Sequence, residues 1–293
     1  MSARRVFHLR LPKRELALGR KTLIMGVLNV TPDSFSDGGK FFDVKRAVEY
    51  ALTMQRDGAD IIDIGAESTR PGSEGISGAD ELARLLPVLE ALRGRLKIPI
   101  SVDTRKSTVA EFAIGAGAAM INDVSGLRHD PRLAQVIAKH RVPMILMHMR
   151  GTPLTMQKMA FAKDVMKDVV SGLRKSIAAA REARIAKDKI ILDPGIGFGK
   201  SFEQNYELLA KLPELAKLGY PLLVGTSRKG FLGKTVAKNG KPVPTDERLW
   251  GTAATVTASI LGGAHIVRVH DVREMAQVAR VTDCVLNPSQ LRK

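Results

Sequence analysis

Eight apolar runs of strand length recur along the chain, about 35 residues apart between Leu23 and Ile266. Stretches with apolar residues at helical spacing separate the runs, as expected for successive strand–helix–strand units. The runs do not alternate with polar residues, which is typical of strands buried on both faces. The predicted strands are Leu23–Leu28, Ile61–Gly65, Ile98–Val102, Met120–Val124, Val142–Met147, Ile190–Leu192, Leu222–Gly225 and Ile266–Val269.

This repeat restricts the fold to the α/β class. Eight such units predict a single closed (β/α)8 TIM barrel over residues 23–293, preceded by a short N-terminal strand pair within residues 1–22. A doubly wound open sheet is the alternative, but its dinucleotide-binding form needs a glycine fingerprint where this chain has Asn29-Val30-Thr31-Pro32. The predicted helices are Asp43–Asp57, Ala79–Arg93, Ser107–Gly115, Pro131–Lys139, Val165–Ala183, Ser201–Lys217, Asp246–Leu261 and Val272–Thr282.

Polar residues stand where the predicted strands end. Because the loops after the strands build the site of such a barrel, these side chains are expected to converge on one mouth. A turn preference explains any one of them equally well. Several buried carboxylates and amides are costly unless they are paired, so together they predict a cavity for a polar ligand. The residues are Asn29, Asp63, Asp103, Asn122, Asp123, His148, Asp193, Ser227, Lys229, Arg268 and His270.

Charge and cysteine content limit the partners and the compartment. The net charge of +16 permits nucleic-acid binding, but the basic residues are dispersed and are not interleaved with the aromatic residues, which make up 4% of the chain. We interpret them as a solvated surface that attracts anionic substrates and expect no nucleic-acid partner. Cys284 is the single cysteine, and the sequence contains neither a signal-peptide pattern nor a membrane-spanning run. A cytoplasmic location without membrane contact is therefore expected.

Three tempting patterns are set aside. Pro194–Ser201 nearly spells a phosphate-binding loop, but proline occupies the position of its first glycine. Cys284 lies in a helical pattern, which favours a small core residue over a nucleophile. The six histidines offer no close ligand pair, so no zinc site is expected, and His148 is interpreted as structural.

Eight sequence blocks between Met25 and Val272 resemble, in order, the dihydropteroate synthase family, the folate-pathway enzymes that sulfonamides inhibit. The most specific blocks are NVTPDSFSDGG at Asn29–Gly39 and ESTRPG at Glu67–Gly72. The others are SVDT at Ser101–Thr104, NDV at Asn122–Val124, MHM at Met147–Met149, DPGIGFG at Asp193–Gly199, SRK at Ser227–Lys229 and RVHDV at Arg268–Val272. The resemblance implies a (β/α)8 barrel, in agreement with the spacing, and makes residues 23–293 a pterin-binding catalytic barrel.

The resemblance also implies the reaction, in which a transferase joins (7,8-dihydropterin-6-yl)methyl diphosphate to 4-aminobenzoate, giving 7,8-dihydropteroate and pyrophosphate. It implies Mg²⁺ as cofactor and a homodimer, with late helices such as Asp246–Leu261 as candidates for the contact. The blocks at Asp193–Gly199 and Ser227–Lys229 look like the ordinary sulfonamide-sensitive form, so sensitivity is expected rather than acquired insensitivity.

The resemblance assigns the site residues by position. Pterin binding is implied for Asp103, Asn122, Asp193 and Lys229, and diphosphate binding for Asn29, Arg268 and His270, with Mg²⁺ near Asn29. Aminobenzoate binding is implied for Phe35, Thr69, Arg70, Pro71, Phe198 and Ser227, beside Lys229. The expected catalytic set is Asn29, Asp103, Asp193, Lys229, Arg268 and His270. Barrel precedent alone would give Lys229 a phosphate, and a structural role for His270 stays open.

These residue types suit a dissociative, SN1-like loss of pyrophosphate, because buried Asp103 and Asp193 would stabilise a pterin-methyl cation. The loops at 30–39 and 68–78 are expected to be mobile when empty and to close over the substrates. Two other functions remain: a pterin-binding methyltransferase that passes methyl groups to a corrinoid protein, and a nucleic-acid-binding protein. Phe35 and the Thr69–Pro71 segment favour the synthase, since the methyltransferase would lack the aminobenzoate loops.

Overall fold

A computed structural model describes residues 4–31, 39–70, 72–158 and 162–288. The strands are β1 (Phe7–Arg10), β2 (Glu15–Leu18), β3 (Leu23–Asn29), β4 (Ile61–Gly65), β5 (Ile100–Asp103), β6 (Met120–Asp123), β7 (Met144–Met147), β8 (Ile190–Asp193), β9 (Leu223–Val224) and β10 (Ile266–Val269). The helices are α1 (Gly39–Arg56), α2 (Gly78–Leu92), α3 (Ser107–Gly115), α4 (Arg132–His140), α5 (Val165–Glu182), α6 (Phe202–Ala210), α7 (Leu212–Ala216), α8 (Gly230–Thr235), α9 (Leu249–Leu261) and α10 (Val272–Leu286). None of the helices in these ranges is long and apolar enough to cross a membrane.

The eight strands β3 to β10 form one parallel sheet that closes on itself. Its order is β8-β7-β6-β5-β4-β3-β10-β9, so each strand lies beside its neighbour in sequence, and β3 also pairs with β10. Closure between β8 and β9 comes from the Leu192 N–H, which donates to the Pro221 carbonyl oxygen at 3.0 Å. A doubly wound sheet would reverse its strand order midway, so the barrel prediction is confirmed and the open-sheet alternative is wrong.

The predicted elements are all present, with bounds that differ by a few residues. The stretch Ser201–Lys217, predicted as one helix, is two helices that meet at Lys211, with Pro213 in the first turn of α7 where its missing N–H costs nothing. The first turn predicted for Asp246–Leu261 is instead a 3₁₀ turn, Thr245–Arg248. Helix α8 was not predicted, because six residues are too few to show a helical period.

Inward-facing residues change from apolar to polar along the barrel axis. The lower layer contains Leu23, Met25, Ile61, Met120, Ile145, Ile191, Leu223 and Ile266, and Leu9 and Leu18 of the β1–β2 hairpin pack beneath it. Two positions further along the same strands stand Asp63, Asn122, Asp193 and Arg268, which share the inward face because strand side chains alternate. The hairpin thus closes the N-terminal end of the barrel, and the polar groups gather at the other end.

Candidate active site

Register places the polar strand ends side by side. Asn29 of β3 pairs with Gly65 of β4, Gly65 with Asp103 of β5, and Asp103 with Asn122 of β6. Asp193 ends β8 beside Met147 of β7. The structure therefore brings together four of the predicted strand-end groups at one mouth, namely Asn29, Asp103, Asn122 and Asp193.

Arg268 is the centre of an ion-pair network inside the barrel. Its Nε donates to Asp63 Oδ2 at 2.7 Å, and its Nη2 donates to Asp103 Oδ2 at 3.1 Å. Asn122 Nδ2 donates to the same Asp63 oxygen at 3.0 Å, which links the pterin residue predicted on β6 to the diphosphate residue predicted on β10. Asp63 itself is fully buried, and its other oxygen, Oδ1, has no hydrogen-bond partner among the described residues.

The sequence pattern places Asp63 near the end of a predicted strand but assigns it to none of the ligands. Its signal is an acidic side chain inside an apolar run, two residues before the end of β4. A carboxylate in that position must be paired to be tolerated. The partner lies 205 positions away on β10 and becomes a neighbour only when the barrel closes.

Burial sets the ionisation of the two predicted catalytic carboxyl groups. Burial raises the pKa of Asp193 to about 6, against a hydrogen bond from Gly195 N–H and the positive charges of Lys229, Lys200 and Arg268. Burial also raises the pKa of Asp103, and Arg268 opposes that rise while Asp63 adds to it. Asp193 is therefore ionised at pH 7, and a charge so deeply buried acts strongly on a ligand.

Lys229 and Phe198 lie in direct contact. The Lys229 ammonium lies 3.9 Å from the centroid of the Phe198 ring, a cation–π contact. Burial lowers the pKa of Lys229 to about 8, and Arg268 lowers it further, whereas Asp193 and Asp103 raise it. Lys229 is therefore close to the predicted pterin carboxylates and to a predicted aminobenzoate residue at once.

The loop after β9 fixes Lys229 in place. Arg228, just before it, has a φ of +59° and forms two hydrogen bonds with Asp271, at 3.1 and 2.5 Å. The Arg228 N–H also donates to Thr252 Oγ1 of α9 at 3.1 Å. Helix α8 begins immediately after Lys229, so this side chain projects from a rigid junction.

Ser227 and His270 contact each other, although the sequence assigned them to different ligands. Ser227 Oγ lies 3.0 Å from His270 Nδ1 and accepts the His270 backbone N–H at 3.1 Å. Burial lowers the pKa of His270 to about 3, and the nearby Arg268, Arg228 and Lys229 contribute to the fall. The imidazole is therefore neutral at pH 7, and it can reach an anion only as a hydrogen-bond donor.

The second loop is anchored at its base by Glu67. Glu67 Oε1 accepts the Ile76 N–H at 2.9 Å and the Lys106 ammonium at 2.8 Å, and Oε2 accepts Arg105 Nε at 3.0 Å. Burial raises the pKa of Glu67, but these hydrogen bonds lower it by more, so it lies below its usual range. Further along, the Gly72 N–H donates to the Pro153 carbonyl oxygen at 3.0 Å, so this loop also touches the loop after β7.

The other predicted residues lie on the second loop, on the opposite face of β6 or outside the described residues. Thr69 is half-buried and Arg70 exposed on the second loop, and Phe35 and Pro71 lie outside the described residues. Asp123 belongs to the other face of β6, where it accepts the N–H groups of Ser125 and Leu127, so its expected convergence is wrong. Its strand neighbour Asn122 faces inward, and adjacent strand residues point to opposite faces.

His148 also turns away from the mouth. Its ring packs against Gly172 of α5, where an added Cβ would lie 2.4 Å from the imidazole Cδ2. Burial lowers the pKa of His148 to about 2, with Lys200, Arg128 and Arg150 contributing. The position agrees with the structural interpretation made from the sequence.

Asn29 and Asp103 border a space that could hold a divalent cation. A Cβ added to Gly65 would lie 3.9 Å from Asn29 Oδ1 and 3.8 Å from Asp103 Oδ2, so both oxygens border the space beside this glycine. Amide and carboxylate oxygens are the ligands that Mg²⁺ accepts, and this ion commonly takes one or two protein ligands beside substrate phosphates. The described residues contain no group of three acidic, His or Cys side chains that could hold a metal alone.

Comparisons with known proteins agree with this arrangement. The model of a family described as pterin binding enzyme matches residues 25–270. A dihydropteroate synthase of Synechocystis is 50% identical, with the match covering 91% of each chain. A solved structure of a Xanthomonas albilineans dihydropteroate synthase with 4-aminobenzoic acid is similar, with 40% identity and a TM-score of 0.89 over 97% of this chain and 99% of the other. A Yersinia pestis dihydropteroate synthase in complex with a sulfonamide drug is also similar, with 41% identity and a TM-score of 0.87 over 95% of this chain and 99% of the other.

Proposed function

This chain belongs to the pterin-binding enzymes and, among them, to the dihydropteroate synthases, and we propose that it joins (7,8-dihydropterin-6-yl)methyl diphosphate to 4-aminobenzoate by dissociative loss of pyrophosphate. The observation that carries the proposal is the layer of Asp103, Asn122, Asp193 and Arg268 at the mouth of the barrel. It combines acceptors for a flat heterocycle with a cation for its anionic tail.

Asp193 and Asn122 have the hydrogen-bonding groups that a pterin edge requires. The 2-amino group and the adjacent ring N–H of a pterin are two parallel donors, which one carboxylate accepts in bidentate fashion. Asp193 has one oxygen held by the Gly195 N–H at 2.7 Å, so its plane is fixed before the ligand arrives. Asn122 adds a donor and an acceptor from β6, which is separated from β8 by β7 alone.

The charged groups of this layer also favour departure of pyrophosphate before the amine of 4-aminobenzoate attacks. As the carbon–oxygen bond breaks, positive charge spreads over the pterin-methyl group. The buried Asp193 carboxylate stabilises it in a site of low dielectric, and Asp103 adds to this as the carboxylate that accepts from Arg268. We assign the leaving diphosphate to N–H donors of Arg268, which Asp63 orients, and of the neutral His270, which Ser227 contacts. The aromatic amine of 4-aminobenzoate attacks in its neutral form, so no general base is needed, and the proton that it carries afterwards leaves to water.

We propose that Mg²⁺ binds beside Asn29, with Asp103 as the second oxygen bordering that space. When bound, the ion neutralises charge on the diphosphate oxygens and so makes pyrophosphate a better leaving group. Asn29 orients the diphosphate against the pterin layer from the end of β3, next to Gly65.

Thr69, Arg70, Ser227 and Phe198 are proposed to surround the aminobenzoate. Phe198 offers its ring to the benzoate ring, and Lys229 lies above Phe198 with its ammonium available to the same ligand. The solved relatives with 4-aminobenzoic acid and with a sulfonamide drug support this pocket and the expected sulfonamide sensitivity.

A second copy of this chain is proposed to cover the surface of α9 and α10. Trp250 is 80% exposed there, and Val281 and Val285 are more than half exposed. A groove of about 390 Å³ runs between the two helices beside these valines. Apolar side chains so exposed favour a protein interface, and replacing Val281 by Lys should convert a dimer to monomers in sedimentation experiments.

The deciding experiment is turnover of both substrates by the purified protein with Mg²⁺. The proposal expects pyrophosphate and 7,8-dihydropteroate in equal amounts and inhibition by a sulfonamide that competes with 4-aminobenzoate. Transfer of a methyl group from methyltetrahydrofolate to a corrinoid protein, without synthase turnover, would assign the methyltransferase instead. Salt-dependent retention on DNA without turnover would assign the nucleic-acid-binding function.

A further inference from the structure

Lys200 lies in the glycine-rich stretch that nearly matches a phosphate-binding loop, but its side chain does not face a phosphate site. The residue is 6% exposed. Its Nζ donates to the carbonyl oxygens of His148 at 2.9 Å, Pro194 at 2.9 Å and Gly195 at 2.8 Å. The ammonium therefore turns inward and joins the end of β7 to the turn that follows β8.

Three carbonyl oxygens around one Nζ match the three N–H donors of the charged ammonium, whereas a neutral amine has only two. Burial lowers the pKa of Lys200 to about 7, Asp193 and Asp168 oppose the fall, and Lys229 and Arg128 add to it. The carbonyl dipoles and Asp193 thus support a positive charge that burial alone would remove.

The turn that Lys200 holds carries residues of both proposed substrate sites. Gly195 donates its N–H to Asp193 Oδ1 at 2.7 Å, and the Gly195 carbonyl oxygen accepts the Phe198 N–H at 3.1 Å as well as Lys200. A Cβ added to Gly195 would lie 1.9 Å from the His148 carbonyl oxygen, so the turn is seated directly on the end of β7. A shift of Gly195 would move the Asp193 carboxylate and the Phe198 ring together.

We propose that Lys200 is a positioning residue for both substrates: by holding the turn Asp193–Phe198 against the end of β7, its ammonium orients the pterin carboxylate and the aminobenzoate wall at once. The inference rests on the proposed function of the mouth, because it concerns the residues assigned there. It adds to that function a group that touches neither substrate.

The test compares Lys200→Met with wild type and with Lys217→Met, a matched change of an exposed lysine. Calorimetry with (7,8-dihydropterin-6-yl)methyl diphosphate between pH 5.5 and pH 8.5 measures the pterin affinity and its pH midpoint. Lys200→Met should bind about tenfold more weakly at pH 7, as expected for loss of charge-assisted hydrogen bonds. Its pH midpoint should rise by about half a unit, because a positive charge that lowers the pKa of Asp193 is gone.

A loss of stability alone does not produce that shift of the pH midpoint, so the midpoint separates positioning from folding. Lys200→Gln keeps two N–H donors for the carbonyl oxygens and replaces the methionine variant if that one does not fold. Wild-type affinity and midpoint in a folded Lys200 variant would overturn the inference and leave the proposed function intact. Absence of pterin binding by the wild-type protein would instead contradict the proposed function itself.

Discussion

Arg268 on β10 and Asp63 on β4 form a 2.7 Å ion pair inside the barrel, although they are 205 positions apart in the sequence. The pair orients the Arg268 guanidinium, whose Nη2 donates to Asp103 on β5, the strand beside β4. Since Asp63 is fully buried and also accepts from Asn122, it holds a proposed diphosphate residue and a proposed pterin residue in one geometry.

Replacing Asp63 by Asn should lower kcat/KM for the pterin diphosphate by about a hundredfold, because Arg268 then keeps one carboxylate partner and loses its orientation. Unfolding in urea should show a loss of about 3 kcal/mol, the usual cost of breaking a buried pair. Glu207→Gln, which removes an exposed pair with Lys211, is the control and should change neither quantity. Full activity in a folded Asp63→Asn variant would contradict this role.

Pterin affinity should depend on pH through Asp193. Its pKa is raised to about 6 by burial, so the carboxylate that accepts the pterin N–H groups is lost as the pH falls through that value. Calorimetric titrations of the wild-type protein should therefore show an affinity that is constant above about pH 7 and falls about tenfold for each unit below about pH 6. An affinity independent of pH between 5 and 8 would exclude Asp193 as the acceptor.

Asp193→Asn should separate binding from stability. The variant replaces one acceptor by a donor that opposes the pterin N–H groups, and pterin affinity should fall at least about a hundredfold at pH 7.5.

The stability of Asp193→Asn should not fall with its pterin affinity. A carboxyl group whose pKa is raised on folding adds stability that is fully present at low pH and is lost as the pH rises through about 6. At pH 7.5 the wild-type protein carries the buried charge, so the Tm of Asp193→Asn should equal or exceed the wild-type Tm, and its advantage should shrink as the pH falls from about 6 to about 4. A Tm well below wild type at pH 7.5 would show that the charge stabilises the fold.

The position of the site could be predicted from the sequence, but its internal pairing could not. Strand ends mark the mouth because parallel strands finish on one face, which is why Asn29, Asp103, Asn122 and Asp193 were found. The partner of Arg268 and the Ser227–His270 contact depend on barrel closure and register, which no local pattern encodes.

Lys200 shows the limit of motif reading most clearly. Its spacing from the preceding glycines resembles a phosphate-binding loop, and rejecting that motif left the residue without a role. The structure supplies the role through three carbonyl oxygens, two of them on the turn after β8 and one at the end of β7. Backbone acceptors of this kind leave no trace in residue identities.

Lys229→Met should reduce kcat by about a hundredfold or more, as expected for loss of a preorganised cation in a site of low dielectric. Its Tm should stay close to wild type or rise, because burial lowers the pKa of Lys229 to about 8 and the charged form is held at a cost. Phe198→Leu, which removes the ring under the ammonium, should mainly raise KM for 4-aminobenzoate. Steady-state kinetics with each substrate varied in turn measure both effects, and a wild-type kcat in Lys229→Met would exclude a catalytic role.

Glu67→Gln should loosen the second loop without disturbing the pterin site. Glu67 joins the two ends of that loop through the Ile76 N–H and fixes them to Arg105 and Lys106 after β5. Gln keeps an acceptor but loses the charge, so both ion pairs weaken. We expect faster amide hydrogen exchange over residues 68–76 and a KM for 4-aminobenzoate about tenfold higher, since ordering the loop then costs more on binding.

The KM for the pterin diphosphate separates this loop effect from a general loss of structure. Asp103, Asn122 and Asp193, which are proposed to hold the pterin, lie on strands and take no part in the Glu67 hydrogen bonds, so the KM for the pterin diphosphate should stay within about twofold of wild type. Glu111→Gln, which removes a surface carboxylate paired with Lys139, should leave both constants and the exchange pattern unchanged. Equal increases of both KM values in Glu67→Gln would mean that Glu67 supports the barrel as a whole, because a loop anchor acts only on the ligand that the loop covers.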